Sequence, residues 1–331
     1  MVVPLPGAIL SQVARQAEDM GLEGLWAPQL YGPPFVPLAA AAMVTARVKL
    51  GSGVALAFTR SPLETALSAI DLDTISGGRA VLGLGTSLRW WNEDWHGVTY
   101  GKPLPHLREV VRLVRHIIAG AHSGELGRWD GEYHQLDLRG FKTQAPALRA
   151  HIPIYVPAVY EAAIRMAAEV ADGLAGHPIW SERWVRQEVV ENLKRGFAKA
   201  GRARGDFDLN IWAFVAIDAD RRQAIEAMRG TVAFYASFAQ YERFFAAHGF
   251  GEQARAIGAA ASRNDTAGML KATPDAMVDT FAIVGSVEDV RRRVEQLWEV
   301  ADSLTLAAPF YFVDPGVTMA QQMAIAQAFY G

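Results

Sequence analysis

Short apolar runs alternate with longer segments of helical period along most of the chain. The first helical segment has one apolar face, made of Ile9, Val13, Ala17 and Met20. Gly21 predicts the end of this helix, and residues 24–26 follow as a short strand. Because this alternation recurs about eight times, it predicts βα units around a parallel sheet.

Further strands are predicted at 48–57, 80–85, 154–156, 173–176, 209–217 and 303–307. Ser61, Pro62 and Glu64 are typical of a helix start, and Ser286 with Asp289 predicts another. Two insertions are expected, a hairpin at about 125–136 and extra helices at about 231–270, a stretch longer than one crossover helix needs. The sequence therefore predicts one decorated (β/α)8 barrel domain over 1–331.

Composition narrows the class of protein. Of the 331 residues, 51% are hydrophobic and 20% charged, which is typical of a globular chain. Lys and Arg total 32 against 35 Asp and Glu, so the charge favours a small-molecule partner over nucleic acid or a membrane. The absence of cysteine excludes thiolate chemistry. With no apolar stretch near the ~20 residues of a membrane span, a cytoplasmic location is expected.

Active sites of such barrels form at the carboxyl ends of the strands. Gln29, Leu30 and Tyr31 follow the strand at 24–26. The candidate cofactor-binding residues at the strand ends are Gln29, Gly53, Val54, Ala55, Thr86, Ser87, Ala158, Val159 and Tyr160. Pro309 and Phe310 follow the last predicted strand.

Gly83 and Gly85 interrupt a very apolar strand. No third glycine stands at position 88 and no acidic residue follows at the right distance, so a dinucleotide fingerprint is absent. The glycines, Thr86, Ser87 and the pair Trp90-Trp91 better suit a flat ring lying against backbone and aromatic walls.

Three residues are candidates for acid–base chemistry. His177 directly follows a predicted strand and is either functional or a satisfied core histidine. Glu93 and Asp94 are either acid–base groups or solvated loop charges, and Glu93 is the preferred catalytic candidate of the two. The histidines lack the HxxxH or HExxH spacing of common metal sites, so no metal site is predicted.

Several short stretches occur in an order that resembles a known family. They are 21–26 (GLEGLW), 48–54 (VKLGSGV), 60–62 (RSP), 76–79 (SGGR), 82–86 (LGLGT), 153–156 (PIYV), 171–173 (ADG) and 281–285 (FAIVG). Together they resemble the luciferase-like flavin and deazaflavin oxidoreductases. Within this family they resemble the coenzyme F420-dependent branch, which includes methylenetetrahydromethanopterin reductase.

The resemblance implies a non-proline cis peptide bond at Gly53–Val54, behind the cofactor ring. It also implies a phosphate site at a helix start, here Val159-Tyr160-Glu161, although relatives usually carry Gly-Pro there. Related sugar-phosphate dehydrogenases and methanopterin reductases carry an Asp-His pair at the position where this chain has Gln29-Leu30. Neither Gln29 nor Leu30 is a base at neutral pH, so alcohol oxidation of the sugar-phosphate kind is disfavoured and reduction of a substrate is favoured.

The resemblance thus implies hydride transfer between coenzyme F420 and an electron-poor substrate, with FMN as the alternative cofactor. Trp90, Trp91 and Trp95 suggest that this substrate is apolar or aromatic. An FMN-dependent monooxygenase and a non-catalytic flavin-binding barrel are the rival interpretations. Small apolar residues at 38–44 and 65–75 allow a homodimer or simple packing on the barrel.

Overall fold

The computed structural model describes residues 5–30, 32–205 and 207–331, so Tyr31 lies outside the described residues. The chain divides into two compact units. Unit A contains the chain up to Ala175 together with 191–208, and unit B contains 176–190 and 209–331. The single-domain organisation expected from the sequence stays a prediction.

The first half of the chain contains α1 (Gly7–Asp19), β1 (Gly24–Ala27), α2 (Phe35–Ala42), β2 (Lys49–Ser52), β3 (Ala55–Leu56), α3 (Pro62–Ser76), β4 (Ala80–Gly85), a π-helical turn (Trp91–Trp95), α4 (Pro103–Gly120), β5 (Arg128–Asp130), β6 (Gln135–Asp137), β7 (Ile154–Pro157), α5 (Glu161–Val170) and β8 (Gly173–Ala175). The second half contains α6 (Glu182–Trp184), a second π-helical turn (Val185–Val189), α7 (Val190–Ala200), β9 (Asp208–Ile217), α8 (Arg221–Ala236), a 3₁₀ turn (Ala239–Tyr241), α9 (Glu242–Ala247), α10 (Gly251–Ala261), α11 (Thr266–Lys271), α12 (Asp275–Phe281), β10 (Ile283–Gly285), α13 (Val287–Trp298), β11 (Ser303–Ala307) and α14 (Pro315–Tyr330). Strands and helices alternate along much of the chain, as predicted, but β2 and β3, β5 to β7, and α8 to α12 follow one another without alternation.

The sheet of unit A is parallel. Its strands follow the order β1, β2, β4, β7 and β8, with β3 also paired to β4. All residues of β4 are buried, as expected for a strand covered on both faces. β5 and β6 form the predicted hairpin, which is antiparallel.

In unit B, different parts of the long strand β9 pair with two different parallel strands. Residues 210–214 pair with β11, and residues 215–217 pair with β10. The sequence did not predict β10 as a strand, because a run of only three residues is too short to distinguish a strand from a buried helix segment. The region at about 231–270, where extra helices were expected, contains the end of α8, a 3₁₀ turn, α9 and α10, and the start of α11.

The helix signals in the sequence are confirmed at two starts. Ser61 accepts the N–H of Glu64 at 3.1 Å at the start of α3, and Ser286 accepts the N–H of Asp289 at 3.2 Å at the start of α13. Each bond satisfies one of the N–H groups that a helix start leaves without an intrahelical partner.

The apolar face predicted for α1 is wrong. The helix buries Leu10 and Ala14, whereas Ile9 is 49% exposed, and Val13 and Met20 are also exposed. The face with Leu10 is rotated by one residue, about 100°, and the sequence carries apolar residues on both faces. Spacing alone could not choose between them. None of the helices described is long and apolar enough to cross a membrane.

Candidate functional site

The predicted strand 48–57 is interrupted after Ser52, which pairs with Ala27 at the carboxyl end of β1. β2 and β3 flank the break, and the peptide bond Gly53–Val54 between them is cis, as the resemblance implied. The N–H of Gly53 donates to the carbonyl of Ala27 at 2.8 Å. The carbonyl of Val54 accepts the N–H of Gln29 at 3.2 Å. Both bonds hold the segment against the chain that leaves β1.

The hydroxyl of Ser52 joins β2 to β4. It donates to the carbonyl of Gly83 at 2.8 Å and accepts the N–H of the same residue at 2.9 Å, in a position only 1% exposed. A Cβ on Gly83 would overlap the carbonyl oxygen of Ser52, and one on Gly85 would lie 2.7 Å from Cγ2 of Val54. Because Gly83 and Gly85 lack side chains, the backbone of Ser52 and the side chain of Val54 can pack against β4. This space is therefore filled by residues 52–54 and is not open to a cofactor ring.

Gln29 is buried and bonded through its whole side-chain amide. Its Oε1 accepts the N–H of Leu56 at 2.9 Å and an Nη2–H of Arg60 at 2.6 Å. Its Nε2 donates to Thr59 Oγ1 at 3.3 Å. Together with the bond from its backbone to Val54, these contacts tie the chain after β1 to the chain after β3. The predicted cofactor-binding role of Gln29 stays a prediction.

A small apolar cluster lies inside the sheet of unit A, and we name it the apolar floor. Val81, Tyr155 and Ala175 are buried in it, and the half-buried side chains of Trp26 and Val54 pack on it. The rings of Trp26 and Tyr155 lie 5.7 Å apart. The floor gives a flat ligand an apolar surface beside the cis peptide bond. Ala55, another predicted site residue, is itself fully buried.

Thr86 and Ser87 follow β4 in a turn held by two side chains. Ser87 has a φ of 55°, and its carbonyl accepts the hydroxyl of Tyr100 at 2.8 Å. The buried Asn92 donates through Nδ2 to the carbonyl of Thr86 at 2.9 Å and to that of Leu88 at 2.8 Å. The turn is therefore fixed by the segment that follows it, which the sequence did not predict.

The π-helical turn after β4 carries the three tryptophans. Trp91 and Trp95 are stacked at 5.2 Å, and Trp90 meets Trp95 edge-on at 4.8 Å. Trp90 is 42% and Trp95 53% exposed, which is unusual for such large apolar rings. They form an aromatic wall, named here the tryptophan wall, and a π-helical turn is itself frequent at functional sites.

Glu93 lies in the same turn but faces solvent. Its carboxylate pairs with Arg89 at 2.7 Å, with 37% of the Glu93 side chain exposed. An exposed i,i+4 ion pair of this kind is consistent with the solvated alternative that the sequence left open. Its predicted catalytic role stays a prediction.

The predicted phosphate position coincides with the start of α5. Tyr160 is the N-cap residue and makes no side-chain cap, while Glu161 places a carboxylate in the first turn. Ala158 is buried, and Val159 is half-buried. The N-terminal N–H groups of this helix suit an anion, whereas Glu161 opposes one.

In unit B, His177 stands two residues beyond the end of β8 in the chain and contacts two tyrosines. Its Nε2 lies 2.9 Å from the hydroxyl of Tyr241, and its ring meets that of Tyr235 edge-on at 5.4 Å. Burial lowers the pKa of His177 to about 3. The imidazole is therefore neutral at physiological pH. Ile179 donates its N–H toward Nδ1 at 3.5 Å, which leaves Nε2 as the protonated nitrogen.

The predicted residues fall into four groups. The N–H of Gln29 donates to the carbonyl of Val54, which lies between Gly53 and Ala55 in the chain. Thr86 and Ser87 share a turn that precedes Glu93, Ala158, Val159 and Tyr160 directly precede α5, and His177 belongs to unit B. The sequence did not predict that Arg60 contacts Gln29 or that Tyr241 contacts His177, although Arg60 lies in the motif at 60–62. Within the described ranges no group of three or more His, Asp or Glu side chains could hold a metal ion.

The model of the luciferase-like monooxygenase family matches residues 8–303. The chain belongs to this family. It is 33% identical over 300 residues to the 5,10-methylenetetrahydromethanopterin reductase of Archaeoglobus fulgidus, covering 87% of this chain and 85% of the reductase. It is 30% identical over 312 residues to a putative coenzyme F420-dependent oxidoreductase of Mycobacterium tuberculosis, covering 88% and 87% of the two chains.

Among solved structures, a luciferase-like fold is shared with the coenzyme F420-dependent tetrahydromethanopterin reductase of Methanopyrus kandleri. The TM-score is 0.83 at 23% identity, over 99% of this chain and 96% of that one. This likeness confirms the fold class expected from the sequence, a luciferase-like α/β barrel.

The residues of unit A fit a flat redox cofactor with an anionic tail. The apolar floor leaves Val54 and Trp26 partly exposed, and the polar residues Thr86 and Ser87 are half-buried at the end of β4. Arg60 adds a half-buried positive charge, and one of its guanidinium nitrogens, Nε, is buried without a hydrogen-bond partner.

Proposed function

We propose that the chain is an oxidoreductase that transfers hydride between coenzyme F420 and an electron-poor apolar or aromatic organic substrate. The observation that carries the proposal is the apolar floor, whose partly exposed Val54 and Trp26 offer a flat support at the strand ends. The similarity over most of the chain to an F420-dependent oxidoreductase and to a methanopterin reductase supports it. Bound coenzyme F420 would supply or accept the hydride.

Three parts of unit A would hold the cofactor. Val54 would support the ring, the backbone at Thr86 and Ser87 would meet its polar edge, and the first N–H groups of α5 near Val159 and Tyr160 would bind its phosphate. Ala55, Ala158 and Gln29 would act by keeping these backbone segments in position.

Tyr241 would donate the proton that the substrate needs in addition to the hydride. His177 is neutral and cannot act as an imidazolium donor at physiological pH. Its Nε2–H donates to the hydroxyl oxygen of Tyr241, and such a bond stabilises negative charge on that oxygen. His177 would therefore make Tyr241 a better proton donor and would hold its orientation.

The tryptophan wall supports the substrate class. Trp90 and Trp95 present large apolar rings to solvent in the segment that follows β4, where active sites of this fold form. Aromatic walls favour flat, apolar ligands. A planar enone or nitroaromatic substrate combines this shape with the electron-poor centre that accepts hydride.

Titration of the purified protein with coenzyme F420 and with FMN tests the cofactor. We expect saturable binding of F420, followed by its oxidation from the reduced form when enones or nitroaromatics are added. Tight binding of FMN with none of F420 would overturn the choice. Binding of either cofactor without turnover on a broad panel would support the non-catalytic alternative.

A second candidate is an FMN-dependent monooxygenase, which the family match favours because the family model describes luciferase-like monooxygenases. It predicts that the protein consumes oxygen with reduced FMN and an apolar substrate. An oxygen electrode distinguishes the two reactions, since hydride transfer from F420 to an enone consumes no oxygen.

We also propose a homodimer through α2 and α3. Val36 is 67%, Met43 75% and Ile75 48% exposed, so the outer surface of this region carries large apolar side chains. Burial of such side chains favours association. A monomer mass by light scattering at micromolar concentration would contradict this proposal.

A further inference from the structure

Arg60 carries a positive charge that no carboxylate neutralises in the part of the chain described. Its Nη2 donates to Gln29 Oε1 at 2.6 Å, and its guanidinium carbon lies 5.4 Å from the centre of the Phe35 ring. Its Nε is buried without a hydrogen-bond partner. The side chain is half-buried, so water does not screen this charge fully.

The groups around Arg60 offset its charge only in part. Glu64 is the acidic residue that acts on it, one turn further along, but the Glu64 side chain is exposed and makes no hydrogen bond to the guanidinium. Burial lowers the pKa of Arg60 in spite of Glu64. Arginine nevertheless stays protonated in proteins, so the charge remains and its burial is costly.

A second arginine of the same unit shows how such a charge is usually satisfied. Arg79 is also half-buried, and it donates to carbonyls of Ala42, Thr45, Val48 and Ser76. Four backbone carbonyls therefore surround its guanidinium. Arg60 has a single amide oxygen, and Gln29 Oε1 shares that oxygen with the N–H of Leu56.

Arg60 adjoins the candidate cofactor site through Gln29. The same residue that holds the guanidinium also donates its backbone N–H to the carbonyl of Val54, the residue that packs on the apolar floor. Gln29 therefore links the guanidinium of Arg60 to the backbone of Val54.

We propose that Arg60 is an anion-binding residue, which takes an oxyanion carried by the ligand that lies beside Val54. The guanidinium offers parallel N–H donors, which suit a carboxylate, a phosphate or the delocalised oxyanion of a heterocyclic ring. The neutral amide of Gln29 orients the guanidinium without cancelling its charge. The identity of the ligand rests on the proposed function, whereas the anion-binding role of Arg60 does not.

Isothermal titration of the full chain tests this site with three probes, which are coenzyme F420, benzoate and inorganic phosphate. We expect Arg60→Gln to weaken binding of at least one probe tenfold or more, and Arg60→Lys to lose less. Gln29→Glu keeps an acceptor for Leu56 but adds a counter-ion to Arg60, so it should weaken the same probe. Arg128→Gln, on the exposed strand β5, is the matched control and should bind like the wild type.

The probe that responds identifies the source of the oxyanion. Loss of F420 binding alone assigns it to the cofactor, loss of benzoate binding alone to a substrate carboxylate, and loss of phosphate binding to a free anion. If the wild type binds no cofactor but binds benzoate or phosphate through Arg60, the proposed function fails and the inference stands. Unchanged binding of every probe in both Arg60→Gln and Gln29→Glu, with native circular dichroism, overturns the inference. So does a wild type that binds none of the three.

Discussion

Replacing Ser52 with alanine removes the hydroxyl that joins β2 to β4. The variant leaves both the N–H and the carbonyl of Gly83 without this partner, in a position where Ser52 is only 1% exposed. Each buried polar group that loses its partner costs about 1–3 kcal/mol, so we expect a loss of about 2–4 kcal/mol in the free energy of unfolding. Because Ser52 directly precedes Gly53, we also expect weaker cofactor binding.

Urea unfolding followed by tryptophan fluorescence and circular dichroism measures this loss. With an m-value of about 3 kcal/mol/M, a loss of about 3 kcal/mol lowers the midpoint of the transition by about 1 M. Ser123→Ala is the matched control, since that hydroxyl also donates to a carbonyl, at 2.8 Å, but at an exposed site. A midpoint for Ser52→Ala within about 0.2 M of the control would refute the reasoning, because the change would then be no larger than that of an ordinary surface substitution.

The remaining predictions concern the carboxylate of Glu18, the contact between Gly51 and Trp26, the proposed proton donor Tyr241 and the tryptophan wall. Burial raises the pKa of Glu18, but the N–H donors of Val48, Arg47 and Ala46 outweigh it and hold the value at about 2. The stabilisation by Glu18 is therefore complete above about pH 4.5 and is lost as pH falls toward 2. Glu18→Ala should lower the free energy of unfolding by about 1–2 kcal/mol at pH 7 and by less at pH 3, as measured by parallel urea titrations. Gly51→Ala should lower the melting temperature by several degrees in calorimetry, about 1–3 kcal/mol, because the new Cβ would overlap the ring of Trp26, whereas Gly205→Ala, which meets no atom within 4 Å, should not. Tyr241→Phe should lower kcat about 100-fold with little change in the Kd for F420, and an unchanged kcat would remove Tyr241 from the reaction. Trp95→Ala should raise KM for an aromatic substrate about tenfold and leave F420 binding unchanged, and an equal loss for both ligands would contradict its assignment to the substrate.

Local chemistry made part of the fold predictable from the sequence. Ser61 and Ser286 cap helices because a serine hydroxyl reaches the N–H three residues ahead whatever the rest of the chain does. The strand 80–85 was equally clear, since its length and apolar composition allow few other structures. The buried face of α1 was not predictable, because the choice between Leu10 and Ile9 depends on where the helix meets the rest of unit A.

The site was predictable only as a set of positions. Strand ends could be located, but Gln29 meets Arg60 across 31 residues and His177 meets Tyr241 across 64, and such pairs follow from the path of the chain in space. Gly83 illustrates the same point. The sequence suggested that this glycine leaves room for a ligand, but the backbone of Ser52 fills that space. The types of residue were evident beforehand, and their partners were not.

The divided pairing of β9 has a consequence for local opening. Residues 215–217 depend on β10 for their ladder bonds, while residues 210–214 depend on β11. Loss of either neighbour therefore leaves the other half of β9 hydrogen-bonded. In amide hydrogen exchange the two halves of this one strand should become protected to different degrees, so a single β-strand would report on two separate opening events.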